Sequence, residues 1–418
     1  MTSPAPAPVR TDAAVIALVG MAHASSHLFH LLLPPLFPLL MPDFGFGYTA
    51  AGFLMTVFFT ISGVGQAFAG ILVDRYGARR MLMAGVGLLA ASGVVLSLAI
   101  NYWMLLLATV LAGIGNSVFH PADFSLLNKR VSPSRLGYAF SVHGLSGNLG
   151  WALGATISGL ALAWAGWRGA GLAAALVALC TLAALQMARS VLDDDVAIVP
   201  EGTHSAGAAA AGTTFGFLGV QAIWLAFMFF LLVTAAFSGL QNFSAPVLGG
   251  IYGLSPPAAV AALTAYLLGS AAGMVVGGFV AVRVRAHELA VGTAMVAAAI
   301  FAAVLASGLP ASWSVIPLMV GIGVGVGLAG PSRDLLVRRV ATDSLAGGNA
   351  SPAFGRVYGF VYSGIDVGLA MGPLAFGALL DAGGRDGVLP GVALLQILAV
   401  FAVLAMGRRV GTRAPGSA

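Results

Sequence analysis

The chain has 418 residues, of which 59% are hydrophobic and only 8% are charged, and its formal net charge is +5. Soluble globular proteins carry about 25% charged residues, so this composition excludes a water-soluble enzyme, a nucleic-acid-binding protein and a disordered chain. The apolar runs are continuous and long enough to cross a bilayer as helices, whereas barrel strands alternate apolar and polar residues. We therefore predict an all-α polytopic membrane protein.

Twelve apolar segments follow one another, bounded by charged residues, proline or glycine. We predict transmembrane helices over residues 14–41, 48–73, 80–100, 102–126, 136–164, 169–189, 216–247, 257–282, 288–308, 312–335, 356–380 and 388–407. The Pro- and Ala-rich start of the chain lacks the features of a cleavable signal peptide, so we expect the first helix to be retained. The polar stretch 190–215 contains an Ala/Gly tract, which predicts a flexible linker.

The two halves of the chain repeat one another. The residues His23, His27, His30 and Pro35 are spaced by 4, 3 and 5, and Thr234, Ser238, Gln241 and Pro246 repeat these spacings 211 residues later. Gly115 and Pro121 likewise recur as Gly325 and Pro331. This duplication predicts two pseudo-symmetric six-helix bundles, 14–189 and 216–407, joined by the linker 190–215 and flanked by tails 1–13 and 408–418. In such transporters a central site lies between the bundles.

The basic residues predict the orientation in the membrane. If both termini are cytoplasmic, 17 of the 19 lysines and arginines fall in cytoplasmic segments, and only Arg168 and Arg385 fall outside. Cytoplasmic loops of membrane proteins carry an excess of basic residues. We therefore expect a multi-pass protein of a bacterial-type cytoplasmic (inner) membrane, with both termini in the cytoplasm.

A compact basic loop joins the second and third segments, and it reads Gly70-Ile-Leu-Val-Asp74-Arg75-Tyr-Gly77-Ala-Arg79-Arg80. Asp74 can accept hydrogen bonds from a neighbouring helix N-terminus, where the helix dipole favours an anion. The loop resembles the signature loop of the major facilitator superfamily (MFS), although its second-half counterpart has Val282 in place of the aspartate. The resemblance implies a secondary transporter with alternating access, in which Asp74 and a site near Arg356 latch the outward-facing state.

A closer resemblance lies in the first, fourth and fifth segments. The strings Ser26-His27-Leu28, Gly113-Ile-Gly115-Asn116-Ser117-Val118-Phe119-His120-Pro121 and 144–154 are similar to the fosmidomycin-resistance branch of the superfamily, whose characterised members export drugs. The chain departs from proton-coupled drug antiporters at two positions. Thr109 replaces their arginine in the fourth segment, and Ala155 replaces their proline in the fifth.

Polar residues inside the apolar segments are candidates for function because buried ionisable groups are costly in a bilayer. The candidates for a substrate and proton cavity are His23, His27, His30, Asn116, His120, Asp123, His143, Thr234, Ser238, Gln241 and Asp366. The three histidines of the first segment share one helix face, as do the three polar residues of the fourth. From their depth we predict that His120 and His143 meet and that Asp123 can hold either ring.

By the pattern of the superfamily, the first, fourth, seventh and tenth helices line the cavity. The polar face of the seventh segment would then confront the histidines of the first. Histidine changes its charge between about pH 5 and 8, which suits a proton-linked cycle and also binding of an anion.

Three functions remain open. The first is proton-coupled export of a small organic compound or drug, and the second is proton-coupled uptake of a small organic acid or metabolite. The third, a membrane metalloenzyme using His23 and His27, is disfavoured because the loops offer only His204 and His287 as further histidines. No nucleotide-binding loop is present, which argues against ATP-driven pumping. We expect a monomer that is not an enzyme, without cofactor or metal, whose partners are a small-molecule substrate, protons and the lipid bilayer.

Overall fold

The computed structural model describes residues 9–132, 135–193, 216–345 and 354–411. The described residues form α-helices linked by turns and short 3₁₀ helices, with no strand among them. The helices of the first half are α1 (Val9–His30), α2 (Phe37–Phe44), α3 (Tyr48–Tyr76), α4 (Ala78–Ser97), α5 (Tyr102–Asn116), α6 (Phe119–Arg130), α7 (Leu136–Trp164) and α8 (Gly166–Met187). Those of the second half are α9 (Gln221–Tyr252), α10 (Pro256–Arg283), α11 (His287–Ala306), α12 (Val315–Leu345), α13 (Phe354–Asp381) and α14 (Val388–Gly411).

Every predicted transmembrane segment corresponds to helical structure. Within the described residues, 11 helical stretches are long and apolar enough to cross a membrane, and α7 occupies the remaining predicted segment. The prediction of an all-α polytopic membrane protein is therefore confirmed.

Two predicted segments are each divided into two helices. The first is interrupted by the 3₁₀ turn Pro34–Leu36 between α1 and α2, because two consecutive prolines remove two backbone donors. The fourth is interrupted between α5 and α6, where Pro121 lacks the N–H that would bond to Ser117 and its ring crowds that carbonyl. In the second half, Pro246 and Pro331 lie inside continuous helices.

The helix ends differ from the predicted ones. Helix α1 begins at Val9, inside the stretch 1–13 that was predicted to be a tail, and α14 continues to Gly411. The early start of α1 is explained by Asp12, whose buried carboxylate accepts hydrogen bonds from the backbone N–H of Ser132 and from Arg135. Most of the predicted linker 190–215, together with residues 1–8 and 412–418, lies outside the described residues.

The chain divides into two compact units. The first comprises Met1–Val199 and Ser255–Thr264, and the second comprises Pro200–Leu254 and Ala265–Ala418. In the first unit α1 packs against α7, while α4 packs against α8 and α5. In the second unit α9 packs against α13, while α11 packs against α14 and α12. Corresponding segments of the two halves thus form the same helix pairs, as expected of a duplicated chain.

Candidate functional site

Helices α1 and α7 lie in backbone contact. A Cβ atom at Gly150 would clash with the carbonyl oxygen of Ala24, and a Cβ at Gly154 would clash with that of Leu28. Glycines at such positions let helices approach closely where the lipid gives no hydrophobic drive for association. The small-residue face of α7 is therefore the face that receives α1.

This close approach brings five histidine rings together. They come from α1, α6 and α7, and we call them the histidine cluster: His23, His27, His30, His120 and His143. The rings of His23 and His143 stack with centroids 3.6 Å apart, and those of His27 and His30 stack at 4.6 Å. His23 also lies 4.3 Å from His27 and 5.4 Å from His120, measured between centroids. The cluster contains five of the seven histidines of the chain.

One carboxylate lies within this cluster. Asp123 Oδ2 is 3.1 Å from His143 Nε2, and the two side chains are 0% and 6% exposed. Asp123 therefore pairs with His143 and not with His120, whereas the sequence predicts that it can hold either ring. The other carboxylate oxygen, Oδ1, is buried and has no hydrogen-bond partner among the described residues.

His23 and His120 each have a defined hydrogen-bond partner at one ring nitrogen. His120 Nδ1 lies 2.9 Å from Gln66 Oε1, and His23 Nδ1 lies 2.9 Å from the backbone oxygen of His143. Both of these oxygens can only accept, so each Nδ1 carries the proton and donates it. A neutral ring with its proton on Nδ1 has a bare lone pair on Nε2. The structure leaves His23 Nε2 and His27 Nδ1 buried without a hydrogen-bond partner in the described part of the chain.

His30 is bonded at both ring nitrogens. Trp151 Nε1 donates to His30 Nδ1 over 3.2 Å, because an indole N–H can only donate. His30 Nε2 therefore carries the proton, which it donates to Asn116 Oδ1 over 2.9 Å. The same Asn116 oxygen accepts from Ser26, and Asn116 Nδ2 donates to Ser62 Oγ over 2.6 Å. This network holds His30 neutral and in a single tautomer.

The second-half candidates lie in the second unit. Thr234 and Ser238 donate to carbonyl oxygens of their own helix, over 2.8 Å to Phe230 and 2.7 Å to Ala235. Their hydroxyls pack against glycines of α13, just as the α1 histidines pack against α7. Gln241 is also buried on α9, at 1% exposure.

Asp366 is half-buried on α13. It lies two residues from both Gly364 and Gly368, which pack against α9, and residues two apart on a helix point in opposite directions. Asp366 therefore faces away from α9.

The signature loop is tight. Helices α3 and α4 are separated by Gly77 alone, whose φ of 90° is a conformation that side-chain-bearing residues rarely adopt. Arg79 Nη1 donates to the carbonyl oxygen of Arg189 over 3.2 Å. The surroundings of Gly70 and the side chains of Asp74 and Arg356 lie outside the described part of the structure.

Several partners of the cluster were not predicted from the sequence, namely Ser26, Ser62, Gln66, Ser146 and Trp151. Gln66 carried a usable signal, because it is an amide inside the otherwise apolar second segment. Trp151 directly follows a glycine of the α7 packing face. The sequence also does not predict the ion pair of Asp12 and Arg135, at 2.6 Å, because Asp12 lies in the predicted tail 1–13.

Comparisons with known proteins support this fold. The fosmidomycin resistance protein of Escherichia coli (strain K12) is 29% identical over 154 residues, which cover 37% of this chain and 38% of that protein. The multidrug resistance protein MdtH of Cronobacter sakazakii (strain ATCC BAA-894) is 34% identical over 113 residues, covering 27% of this chain and 28% of that protein. The matches thus span less than half of either relative.

A solved structure extends the comparison to the whole chain. The crystal structure of a bacterial homologue of the human lysosomal transporter Spinster, in an inward-facing and unoccupied conformation, has a TM-score of 0.75. It covers 98% of this chain and 100% of its own at 14% sequence identity, so the likeness concerns the fold alone. The family description Major Facilitator Superfamily matches residues 19–351. Since this match covers most of a chain with the expected helices, the protein belongs to the Major Facilitator Superfamily and is a multi-pass membrane transporter, not an enzyme.

Proposed function

We propose that this transporter exports a small organic compound or drug by alternating access, and that protons moving down their gradient drive the export. Two observations support the proposal. The relatives reported above include proteins named for fosmidomycin resistance and multidrug resistance. The first unit also holds a buried acid among five histidines, which is the kind of group that can take up and release a proton inside a membrane.

The pair of Asp123 and His143 carries the argument for coupling. Both side chains are almost fully buried, and an uncompensated charge there would be costly. Gain or loss of one proton changes the net charge of the pair by one. The ring of His23 stacks on that of His143 with centroids 3.6 Å apart, so the change occurs where α6 and α7 meet α1.

The test uses purified protein in proteoliposomes with an imposed pH gradient, and fosmidomycin and ethidium as probe substrates. We expect transport by the wild-type protein to stop when a protonophore collapses the gradient. Asp123→Asn should lose gradient-driven transport, because the amide cannot exchange the proton. Asp386→Asn, in an exposed turn, is the matched control and should transport normally. Transport that is unchanged by the protonophore would contradict proton coupling.

A second candidate function is proton-coupled uptake of a small organic acid or metabolite. One observation favours it: Thr109 replaces the arginine of drug antiporters, and its hydroxyl donates to Leu105 of its own helix over 2.8 Å. Thr109 borders an apolar cavity of about 20 Å³ whose lining residues are all uncharged. Membrane vesicles of known orientation separate the two functions, since export fills inside-out vesicles and uptake fills right-side-out vesicles.

We further propose that the protein acts as a monomer in a bacterial-type inner membrane with both termini in the cytoplasm. The distribution of 17 of the 19 basic residues supports this orientation. Reporter fusions at the C-terminus test it: a cytoplasmic reporter should be active there, and a reporter that requires export should be silent.

A further inference from the structure

Three rings of the histidine cluster converge on one point. His23, His27 and His120 each offer one ring nitrogen, and these three nitrogens lie within 4.8 Å of one another. His23 is only 3% exposed, and the buried nitrogens His23 Nε2 and His27 Nδ1 have no hydrogen-bond partner among the described residues. Buried polar atoms are normally satisfied, so two adjacent orphans point to a ligand.

We propose that His23, His27 and His120 bind one first-row divalent transition-metal ion of the class of Zn²⁺, Co²⁺ or Ni²⁺. Neutral imidazole is a favoured ligand for these ions. In a tetrahedral zinc site the bond length of about 2.0–2.1 Å places ligand nitrogens roughly 3.4 Å apart. Side-chain rotations that move the nitrogens by about one ångström bring the three to that spacing. The fourth position of the tetrahedron remains for water or another ligand.

The hydrogen bonds behind the rings have the form found around metal sites. A metal-binding histidine generally donates its other ring N–H to a carbonyl or carboxylate, which fixes its tautomer and orientation. His23 does so through Nδ1 to the backbone oxygen of His143, and His120 does so through Nδ1 to Gln66 Oε1. In both rings the lone pair of Nε2 is left for a ligand.

The direction of these lone pairs favours a cation over an anion. An anion at this point would face electron pairs, and it would first require protons on several adjacent rings. A water molecule can donate to only two of the three nitrogens. A metal ion accepts from all three, and the carboxylate of Asp123, held next to His23 by His143, compensates part of its charge.

An alternative set uses His23, Asp123 and His143, whose ligand atoms also lie within 4.8 Å of one another. This set would have to break the hydrogen bond between Asp123 and His143. The set with His27 and His120 requires no such loss. The histidines were not expected to form a metal site because the loops carry few others, but α6 supplies the third ligand from within the helical region.

The test uses the full-length protein without a polyhistidine tag, purified in detergent and stripped by a chelator. After incubation with excess Zn²⁺ and desalting, we expect the protein to retain one Zn²⁺ per chain. We also expect it to melt at a higher temperature with Zn²⁺ than without, because a ligand of the folded state stabilises it. With Co²⁺ it should show the visible absorption of a nitrogen-bound four-coordinate ion. These readouts are independent of transport, so the proposal does not depend on direction or proton coupling.

His27→Gln and His120→Gln should each weaken Zn²⁺ binding at least tenfold. Gln66→Leu, which removes no ligand but only the support of His120, should weaken it by about 10–100-fold. His287→Gln is the matched control, since His287 begins α11 in the second unit, and it should bind as the wild type does. If the wild-type protein retains no Zn²⁺ and gives no Co²⁺ band, or if the folded His27→Gln protein binds equally well, the proposal is overturned.

Discussion

His30 is set apart from the other rings of the cluster by its two bonded nitrogens. Trp151 donates to one of them and Asn116 accepts from the other, so protonation of His30 would break the bond to the indole. His30 therefore acts in positioning the network around Asn116. Buried nitrogens without a hydrogen-bond partner among the described residues remain on His23 and His27, and His120 is bonded only through Nδ1.

Trp151→Phe tests this role, because it keeps a ring at the site and removes the donor. We expect a loss of about 0.5–1.5 kcal/mol in the free energy of unfolding, the usual net contribution of one hydrogen bond. Trp164→Phe is the control, since that side chain is 83% exposed. Thermal unfolding in detergent measures both. An equal loss in the two variants would show that ring size, and not the bond to His30, accounts for the change.

The spacing of the polar residues within single segments could be read from the sequence. It predicted that the three α1 histidines share a face, that His120 and His143 meet, and that Asp123 can hold either of those two rings. It could not predict that Asp123 selects His143 or that Gln66 supports His120. Those contacts depend on how far α3, α6 and α7 are rotated and shifted relative to α1, and no spacing within one segment contains that information.

At the scale of elements, the contact of α1 with α7 positions the whole cluster. Gly154→Ala should destabilise the protein by about 1–3 kcal/mol, because the added Cβ has no room against the carbonyl oxygen of Leu28. Gly144→Ala, on the same helix, meets nothing within 4 Å and should be neutral or stabilising by about 0.5–1 kcal/mol. Unfolding measurements on the two variants decide the matter, and equal effects would refute the close approach.

A second contact fixes the beginning of α1. Asp12 is 1% exposed and pairs with Arg135, which lies just before α7. We expect Arg135→Gln to lower the free energy of unfolding by about 1.5–3 kcal/mol, because it leaves the buried carboxylate without its charged donor. The double variant Asp12→Asn with Arg135→Gln should recover part of the loss, since the uncompensated charge is gone. Arg283→Gln, on an exposed side chain, serves as control. No recovery in the double variant would mean that Arg135 acts by another contact.

The helical elements themselves were largely predictable, because long apolar runs in a membrane have few alternatives to helix. The positions at which the helices are interrupted were less predictable. Prolines occur at matching places in both halves, yet α1 and α5 end there whereas α9 and α12 continue. The consecutive prolines Pro34 and Pro35 explain why α1 ends where α9 continues. Whether a proline ends a helix depends on local backbone geometry, which the hydropathy pattern does not contain.

At the scale of the whole molecule, the halves share helix pairs but differ in chemistry. The histidines of α1 correspond to Thr234, Ser238 and Gln241 in α9. Asp123 corresponds to Arg333, which bonds to Asp334 over 2.9 Å and lies 4.8 Å from the ring centroid of Phe230. Tyr362 donates to the same carboxylate over 3.1 Å. The titratable rings are thus concentrated in the first unit, and the second unit holds neutral hydroxyl and amide groups at the positions that match the α1 histidines and an arginine at the position that matches Asp123.

The signature loop is expected to act in the conformational cycle of the whole transporter, by latching its outward-facing state. We expect Asp74→Asn to reduce transport strongly while the protein still reaches the membrane, because the neutral side chain loses its attraction to a helix N-terminus. Asp386→Asn again provides the control. Transport rates normalised to the amount of protein in the membrane give the answer, and near-normal transport by the variant would reject a latching role for Asp74.

The glycine contacts between α1 and α7 also limit how these helices can move. Gly147, Gly150 and Gly154 meet α1 at successive turns, where an added Cβ would clash with α1 side chains or backbone, so the two helices have little room to shift relative to one another. We therefore expect the two helices to keep this register and to move as one rigid body during a change of state. His23 and His143 would then stay stacked throughout the transport cycle. This contact of the histidine cluster would keep its geometry while the helices that carry it move.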